Sequence, residues 1–162
     1  MSLQQELSLK TSITPLAREA MLSVYYTASS IKKRADEFFR SLDLSDVQFN
    51  VLMLLAHQAD PQGGLSQAQV SDMMLVNRAN ITTLIDRMEK ADLVVRTAAP
   101  ADRRYNIIKL TPYGQELLAQ VEPLYMKEIE KAIALTQTEQ RQLIKMLEKI
   151  RHNLTRQGLG TK

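Results

Sequence analysis

The stretch LSQAQVSDMMLVNRANITTLIDRMEKADLVVRTAAPADRRYNIIKL, residues 65–110, contains the signals of a short helix, a turn, a second helix and a hairpin in unbroken succession. Ser66 and Gln69 have the spacing of a capping box, in which two side chains satisfy backbone N–H groups at the start of a helix. Asn77 is a favoured N-cap residue and stands just before the apolar period of the second helix. The stretch therefore predicts two helices joined by a short turn.

The second helix is predicted to be amphipathic. Its apolar residues recur at helical spacing and form one stripe: Ile81, Leu84, Ile85 and Met88. The opposite face carries polar and basic side chains that suit base edges and phosphate oxygens in a DNA major groove: Arg78, Asn80, Thr82, Thr83 and Arg87. We add Asn77, Ser66 and Gln67 as candidate DNA contacts. Any surface helix also shows a polar outer face, so the face alone does not separate DNA binding from simple solvation.

A hairpin is predicted to follow this helix. Residues 93–97 are rich in β-branched side chains, and residues 105–110 have the pattern of the return strand. The loop between them carries Arg103 and Arg104, and a guanidinium at a hairpin tip can enter the narrow, electronegative minor groove. Two helices followed by such a hairpin are the layout of a winged helix-turn-helix, so double-stranded DNA becomes the leading candidate partner.

The two loop arginines also have another interpretation. They could be solvated charges, or one of them could be an internal strut paired with Asp86 or Asp102. We expect a split role, with one arginine in the minor groove and the other bracing the hairpin. Because phosphate repels a carboxylate, Asp86 and Asp102 are expected to order the hairpin and not to contact DNA.

Five segments in a fixed order closely resemble the MarR family of bacterial transcription regulators. They are residues 44–52 (LSDVQFNVL), 84–89 (LIDRME), 92–94 (DLV), 102–104 (DRR) and 110–118 (LTPYGQELL). The resemblance implies a homodimer that binds palindromic operator DNA. It also implies a repressor that in many cases releases its operator when a small molecule binds or a cysteine is oxidised.

The resemblance places effector pockets between dimerisation helices and the DNA-binding lobe. Residues that could cluster there are Tyr25, Arg34, Phe38, Phe49, Met53 and His57, although aromatic and methionine side chains at helical spacing are more often plain core. The chain has no cysteine, which excludes a thiol switch, and its two histidines argue against a zinc-sensing site. We therefore expect no metal and no cofactor, and any effector to be a small organic molecule.

The terminal segments are predicted to be dimerisation helices. Thr14 and Pro15 suit an N-cap and a first helical position, and Thr136 with Glu139 forms another capping box. Both segments carry apolar stripes that could pack within the chain or against a second copy, and we favour a homodimer. The predicted fold class is mainly α with a small β-hairpin wing. The chain is predicted to divide into a flexible tail (1–10), one protomer (11–157) and a frayed tail (158–162). Within the protomer, a winged lobe (44–110) is expected between dimerisation helices (11–42 and 112–157).

Composition agrees with a DNA-binding protein. The chain has 162 residues and a net charge of +3, and residues 76–110 carry seven Lys or Arg against four Asp or Glu. No apolar run is long enough to cross a bilayer, so we expect a cytoplasmic protein with no membrane partner. No nucleophile elbow, P-loop, metalloprotease motif or dinucleotide fingerprint is present, so we predict no enzyme. The alternative is a winged-helix module that acts through protein contacts or nonspecific DNA binding.

Overall fold

The computed structural model describes residues 2–59, 63–74, 78–98 and 106–156, with the backbone alone for residues 78 and 79. Seven helices and three strands lie in these ranges: α1 (Leu3–Glu6), α2 (Leu16–Arg40), α3 (Asp46–His57), β1 (Leu65–Ser66), α4 (Gln67–Met74), α5 (Arg78–Lys90), β2 (Val94–Ala98), β3 (Asn106–Leu110), α6 (Pro112–Ile133) and α7 (Gln137–Arg156). The chain divides into two compact units, residues 1–49 and 50–162. The predicted fold class, mainly helical with a small β wing, is confirmed.

The first unit contains α1, α2 and the start of α3. Its buried centre includes Phe39, whose ring stacks on Phe49 with centroids 4.6 Å apart. The prediction that Thr14 caps α2 is wrong. Pro15, at ψ 169°, is still extended and occupies the N-cap without a side-chain hydrogen bond, so the helix begins at Leu16. The tail assignment also missed α1, a single turn in which Ser2 and Gln5 form a capping box.

The second unit contains a three-stranded antiparallel sheet in the order β1-β3-β2. Strand β2 pairs with β3 from Val94 opposite Leu110, which confirms the predicted hairpin. Strand β1 has two residues and pairs with β3 through Leu65 opposite Ile108. The sheet and the helices share one core of buried apolar residues: Val51, Leu52, Leu55, Leu65, Val70, Ile81, Ile85, Met88, Leu93, Val94, Ile107, Ile108, Leu118 and Val121. This core fixes α4 and α5 against the hairpin.

A close backbone contact joins the hairpin to α6. Thr111 caps the helix by accepting a hydrogen bond from Gly114 N–H at 2.9 Å, and its own N–H donates to the Leu93 carbonyl at 3.2 Å. A Cβ added to Gly114 would lie 2.1 Å from that carbonyl oxygen, so only glycine fits there without a shift of the backbone. The end of β3 and the start of α6 are therefore held tightly against the start of β2.

Helix α6 is continuous through Pro123 and ends at Ile133, and the C-cap residue, Ala134, has a left-handed conformation. Helix α7 opens with the predicted capping box, since Thr136 N–H donates to Glu139 Oε2 at 2.8 Å and Glu139 N–H donates to Thr136 Oγ1 at 3.4 Å. No residue of α7 is buried. Its apolar side chains therefore stand open to solvent in the single chain.

Candidate nucleic-acid interface

Helix α5 presents two unlike faces. Ile81, Ile85 and Met88 are completely buried, as the apolar stripe predicted. Asn80, Thr82, Thr83 and Arg87 are exposed on the other side of the helix. Because the buried face anchors the helix along its length, the exposed face is a rigid, polar surface that a partner can contact.

The start of α4 is tied directly to this surface. Ser66 and Gln69 form the predicted capping box, with Ser66 N–H donating to Gln69 Oε1 at 2.7 Å and Gln69 N–H donating to Ser66 Oγ at 3.2 Å. The side-chain amide of the next residue, Gln67, donates to the hydroxyl of Thr82 on α5. Two candidate DNA contacts from different helices thus form a single hydrogen-bonded unit.

Arg96 of β2 connects the hairpin to α5. Its guanidinium donates from Nη2 to Asp86 Oδ1 at 2.6 Å and from Nη1 to Glu89 Oε2 at 2.5 Å, while its backbone N–H donates to Glu89 Oε1 at 3.0 Å. The Arg96 side chain is 22% exposed, so these contacts are partly shielded from water. The three hydrogen bonds fix the orientation of β2 relative to the C-terminal half of α5.

This connection also changes the charge that a polyanion would meet. Partial burial lowers the pKa of Arg96, but its hydrogen bonds and charge interactions with Asp86 and Glu89 outweigh the burial, so the pKa is raised overall. The guanidinium therefore stays charged and offsets one of the two negative charges that would otherwise repel phosphate. The repulsion between this pair of carboxylates and a nearby polyanion is thereby reduced.

The predicted wing residues are only partly within the described ranges. Asn77, Asp102, Arg103 and Arg104, and the side chain of Arg78, lie outside them. Asp86 pairs with Arg96, a residue that the sequence analysis did not single out. A signal for it existed, because Asp86 and Glu89 are three residues apart and thus share a helix face, and a basic residue follows in the next strand.

The six candidate effector residues fall in both units. In the first unit, Tyr25 and Arg34 are exposed, Phe38 is half-buried and Phe49 is a core residue. In the second unit, Met53 and His57 line an open pocket of about 430 Å³ together with Asn50, Leu54, Gln58, Met73 and Met74. His57 Nε2 lies 3.1 Å from Glu122 Oε1, which links α3 to α6 beside the pocket. This pocket is a concave feature of the described residues that a small molecule could occupy.

The residues that the structure describes contain neither a metal-binding cluster nor a membrane-spanning helix. No group of three or more His, Cys, Asp or Glu side chains could hold a metal ion. None of the helices within the described ranges combines the length and apolar character needed to span a membrane.

Comparison with known proteins points to one family. A family model described as MarR family matches residues 42–104. The chain is 30% identical over 133 residues to the HTH-type transcriptional regulator MhqR of Bacillus subtilis, covering 82% of this chain and 85% of that protein. It is similar in structure to AbsC, a MarR family transcriptional regulator from Streptomyces coelicolor, with a TM-score of 0.79, 19% identity, and coverage of 90% and 99% of the two chains. Sco3205 from the same organism, a MarR family regulator crystallised in complex with DNA, gives a TM-score of 0.76, 22% identity, and coverage of 90% and 92%.

Proposed function

Because this chain belongs to the MarR family of transcriptional regulators, we propose that it binds palindromic operator DNA as a homodimer, with α5 of each protomer in successive major grooves. Its family consists of DNA-binding regulators and not of enzymes. The observation that carries the proposal is the polar outer face of α5, supported underneath by the buried side chains of Ile81, Ile85 and Met88. Acting on DNA, the protein would work in the cytoplasm.

Within this proposal, the side chains of α5 divide the work. Asn80, Thr82 and Thr83 contact base edges, because amides and hydroxyls can both donate and accept hydrogen bonds. Arg78 and Arg87 contact bases or phosphates, and Asn77, Ser66 and Gln67 add contacts at the helix starts. Arg103 and Arg104 provide the minor-groove contact and the brace of the wing, and Asp102 orders the loop between the strands.

The homodimer is supported by exposed apolar residues on the terminal helices. Those on α2 include Leu16, Met21, Val24 and Ile31, and those on α7 include Leu143, Ile144, Ile150 and Leu154. A soluble monomer rarely leaves such long stripes uncovered, and a second copy supplies matching stripes. Sedimentation equilibrium of the full chain should give twice the protomer mass at micromolar concentration.

Regulation is proposed to be repression that ends when a small organic molecule binds. The pocket lined by Met53, His57 and Met73 supports this, because methionine side chains adapt to varied apolar ligands and His57 offers a polar group. A ligand can weaken DNA binding only as far as it prefers the conformation that does not fit the operator. A compound that raises the melting temperature should therefore lower operator affinity, and operator DNA should weaken the compound's binding by the same factor.

The deciding experiment is selection of binding sites from a random duplex library with the full chain. We expect a palindrome with half-sites about one helical turn apart, bound at least about a thousandfold tighter than scrambled duplex. Asn80→Ala with Thr83→Ala should relax the selected sequence, since each lost base contact costs about 1–3 kcal/mol of discrimination. The matched control, Gln115→Ala with Gln120→Ala on the exposed surface of α6, should leave it unchanged.

The alternative is a winged-helix module that binds proteins, or DNA without sequence preference. Weak, strongly salt-dependent binding with no enriched sequence would support that alternative and overturn the proposed operator. An enriched sequence that survives the Asn80 and Thr83 substitutions unchanged would refute the assignment of α5 as the base-contacting helix.

A further inference from the structure

The positive charge of this chain is concentrated in two segments. Residues 76–110 carry seven Lys or Arg against four Asp or Glu, and α7 carries five against two. Each segment therefore has an excess of three positive charges, while the rest of the chain, with nine basic and twelve acidic residues, has an excess of three negative charges. The first segment is the proposed DNA-binding surface. The basic side chains of the second have no role in the proposed function, which uses only the apolar residues of α7.

Four of the five Lys and Arg residues of α7 lie with His152 along one face of the helix, which we call the basic stripe: Arg141, Lys145, Lys149, His152 and Arg156. The fifth, Arg151, lies beside the apolar face, and Glu148 lies at the edge of the stripe. The spacing of three and four residues in the stripe places its members on one side, because 3.6 residues complete a turn. All five side chains of the stripe are exposed. None of them forms an ion pair within the part of the chain that the structure describes, in contrast to Lys131 of α6, which pairs with Glu128 at 2.7 Å.

The apolar residues of α7 occupy the opposite face, where Leu143, Leu147, Ile150 and Leu154 recur at the same spacing. Leu143 lies two positions after Arg141, which is about 200° around the helix axis. When the apolar face is covered by another protein surface, the basic stripe therefore points away from it into solvent. The two faces can be occupied at the same time.

We propose that the basic stripe of α7 is a second, sequence-independent contact for the phosphates of double-stranded DNA, outside the segment bound by α5. The stripe runs over about 22 Å of helix, at 1.5 Å per residue, which corresponds to about six base pairs of duplex. The four Lys and Arg side chains of the stripe outnumber Glu148 at its edge, so its net charge is positive and complements a polyanion, and this family of regulators acts on DNA. The contact would add affinity for long DNA without changing which sequence is preferred.

An anionic membrane is the competing partner for a basic amphipathic helix, and the geometry disfavours it. A helix lying in a membrane interface buries its apolar face, and cationic side chains beside that face reach the lipid headgroups. In α7 Arg151 lies beside the apolar face, but the basic stripe lies opposite it, so a helix buried in this way would hold the side chains of the stripe away from the headgroups. A duplex lying along the stripe meets all of them.

The test compares two triple variants of equal charge. Arg141→Gln, Lys145→Gln and Lys149→Gln remove the first three cations of the stripe, and Arg18→Gln, Lys33→Gln and Lys127→Gln remove three exposed cations elsewhere. The affinity of each protein for a 60-base-pair duplex of random sequence is measured by fluorescence anisotropy over a range of salt concentrations. Log affinity falls as log salt rises, and each lost phosphate contact makes this slope less steep by about 0.9.

We expect the slope to become less steep by about 2 to 3 for the stripe variant and to stay unchanged for the control. Circular dichroism and sedimentation should show both variants folded and in the same oligomeric state as the parent protein. Equal slopes for the two variants would overturn the proposal. The proposal would also be overturned if the parent protein bound vesicles of phosphatidylglycerol and the stripe variant alone lost this binding while its DNA binding stayed unchanged.

This inference rests on the proposed DNA-binding function, yet the two fail differently. If α5 does not bind an operator, library selection with the parent protein enriches no sequence. If only the stripe proposal is wrong, selection succeeds and the two triple variants bind long DNA equally. If both are correct, the stripe variant selects the same palindrome as the parent and binds long flanking DNA more weakly.

Discussion

Helices α5 and α7 share an amphipathic pattern, but only α5 has its apolar face covered by its own chain. Ile85 of α5 is completely buried among the hairpin and neighbouring helices, whereas Ile150 of α7 is 47% exposed. An amphipathic pattern shows that a face needs cover and does not show what covers it. In α5 the cover leaves exposed the polar face that we propose binds DNA, and in α7 the uncovered face is available to a second copy.

The largest expected effect concerns the close backbone contact between Gly114 and Leu93, in the unit that contains α5. Gly114→Ala would place a Cβ 2.1 Å from the Leu93 carbonyl oxygen, and backbone atoms cannot move aside as a flexible side chain can. We expect the free energy of unfolding, measured in urea, to fall by at least about 3 kcal/mol. The exposed neighbour gives the control, since Gln115→Ala should change it by less than about 0.5 kcal/mol. A variant at Gly114 as stable as the control would show that the contact is loose.

Truncation of one isoleucine in each helix compares the two directly. Ile85→Ala should lower the free energy of unfolding by about 2–5 kcal/mol, because it leaves a cavity in a closed core. Ile150→Ala should act through association, so that the dimer dissociation constant rises while unfolding of the separated protomer barely changes. Urea unfolding at several protein concentrations separates the two effects. Equal, concentration-independent losses for both variants would contradict the distinction between the helices.

A smaller effect is expected from the link between the hairpin and α5. Arg96→Gln removes a guanidinium that bonds Asp86 and Glu89, and we expect a loss of about 1–2 kcal/mol in the free energy of unfolding. The loss should shrink in high salt, because Arg96 is partly exposed and its charges are screened. Arg87→Gln on the exposed face of the same helix should cost less than about 0.5 kcal/mol.

The two substitutions should have the opposite order of effect on DNA binding, where Arg87→Gln should weaken binding more than Arg96→Gln does. Arg87→Gln removes a proposed contact and should lower the salt slope by about 0.9. Arg96→Gln should weaken binding by leaving two carboxylates near phosphate, and adding Asp86→Asn and Glu89→Gln should recover part of the affinity. No recovery would mean that Arg96 acts through the position of the wing and not through charge.

Local patterns in the sequence predicted the helices and the hairpin well, but they did not predict contacts between residues that are distant in the chain. The capping boxes at Ser66 and Thr136 and the buried stripe of α5 depend on residues within one or two turns, so spacing alone reveals them. Strand β1 has two residues, too few to show a period, and it exists because β3 pairs with it from more than forty residues away. Arg96 and Gln67 likewise owe their partners to packing between elements, which no local pattern records.

The smallest expected effect concerns the first turn of α7, which lacks buried residues and depends on its capping box. Hydrogen bonds from the hydroxyl and the backbone N–H of Thr136 hold the pKa of Glu139 below its ordinary value of 4.5. The pKa of Glu139 is lower in the folded protein than in the unfolded chain. At a pH above the unfolded pKa, the carboxylate therefore stabilises the start of the helix, and this contribution is lost as the pH falls through the folded pKa. Titration of the Glu139 carboxyl by NMR should show the lowered midpoint, and Thr136→Ala should return it towards 4.5. An unchanged midpoint in that variant would mean that the backbone N–H of residue 136, which the substitution keeps, is sufficient to lower the pKa without the hydroxyl.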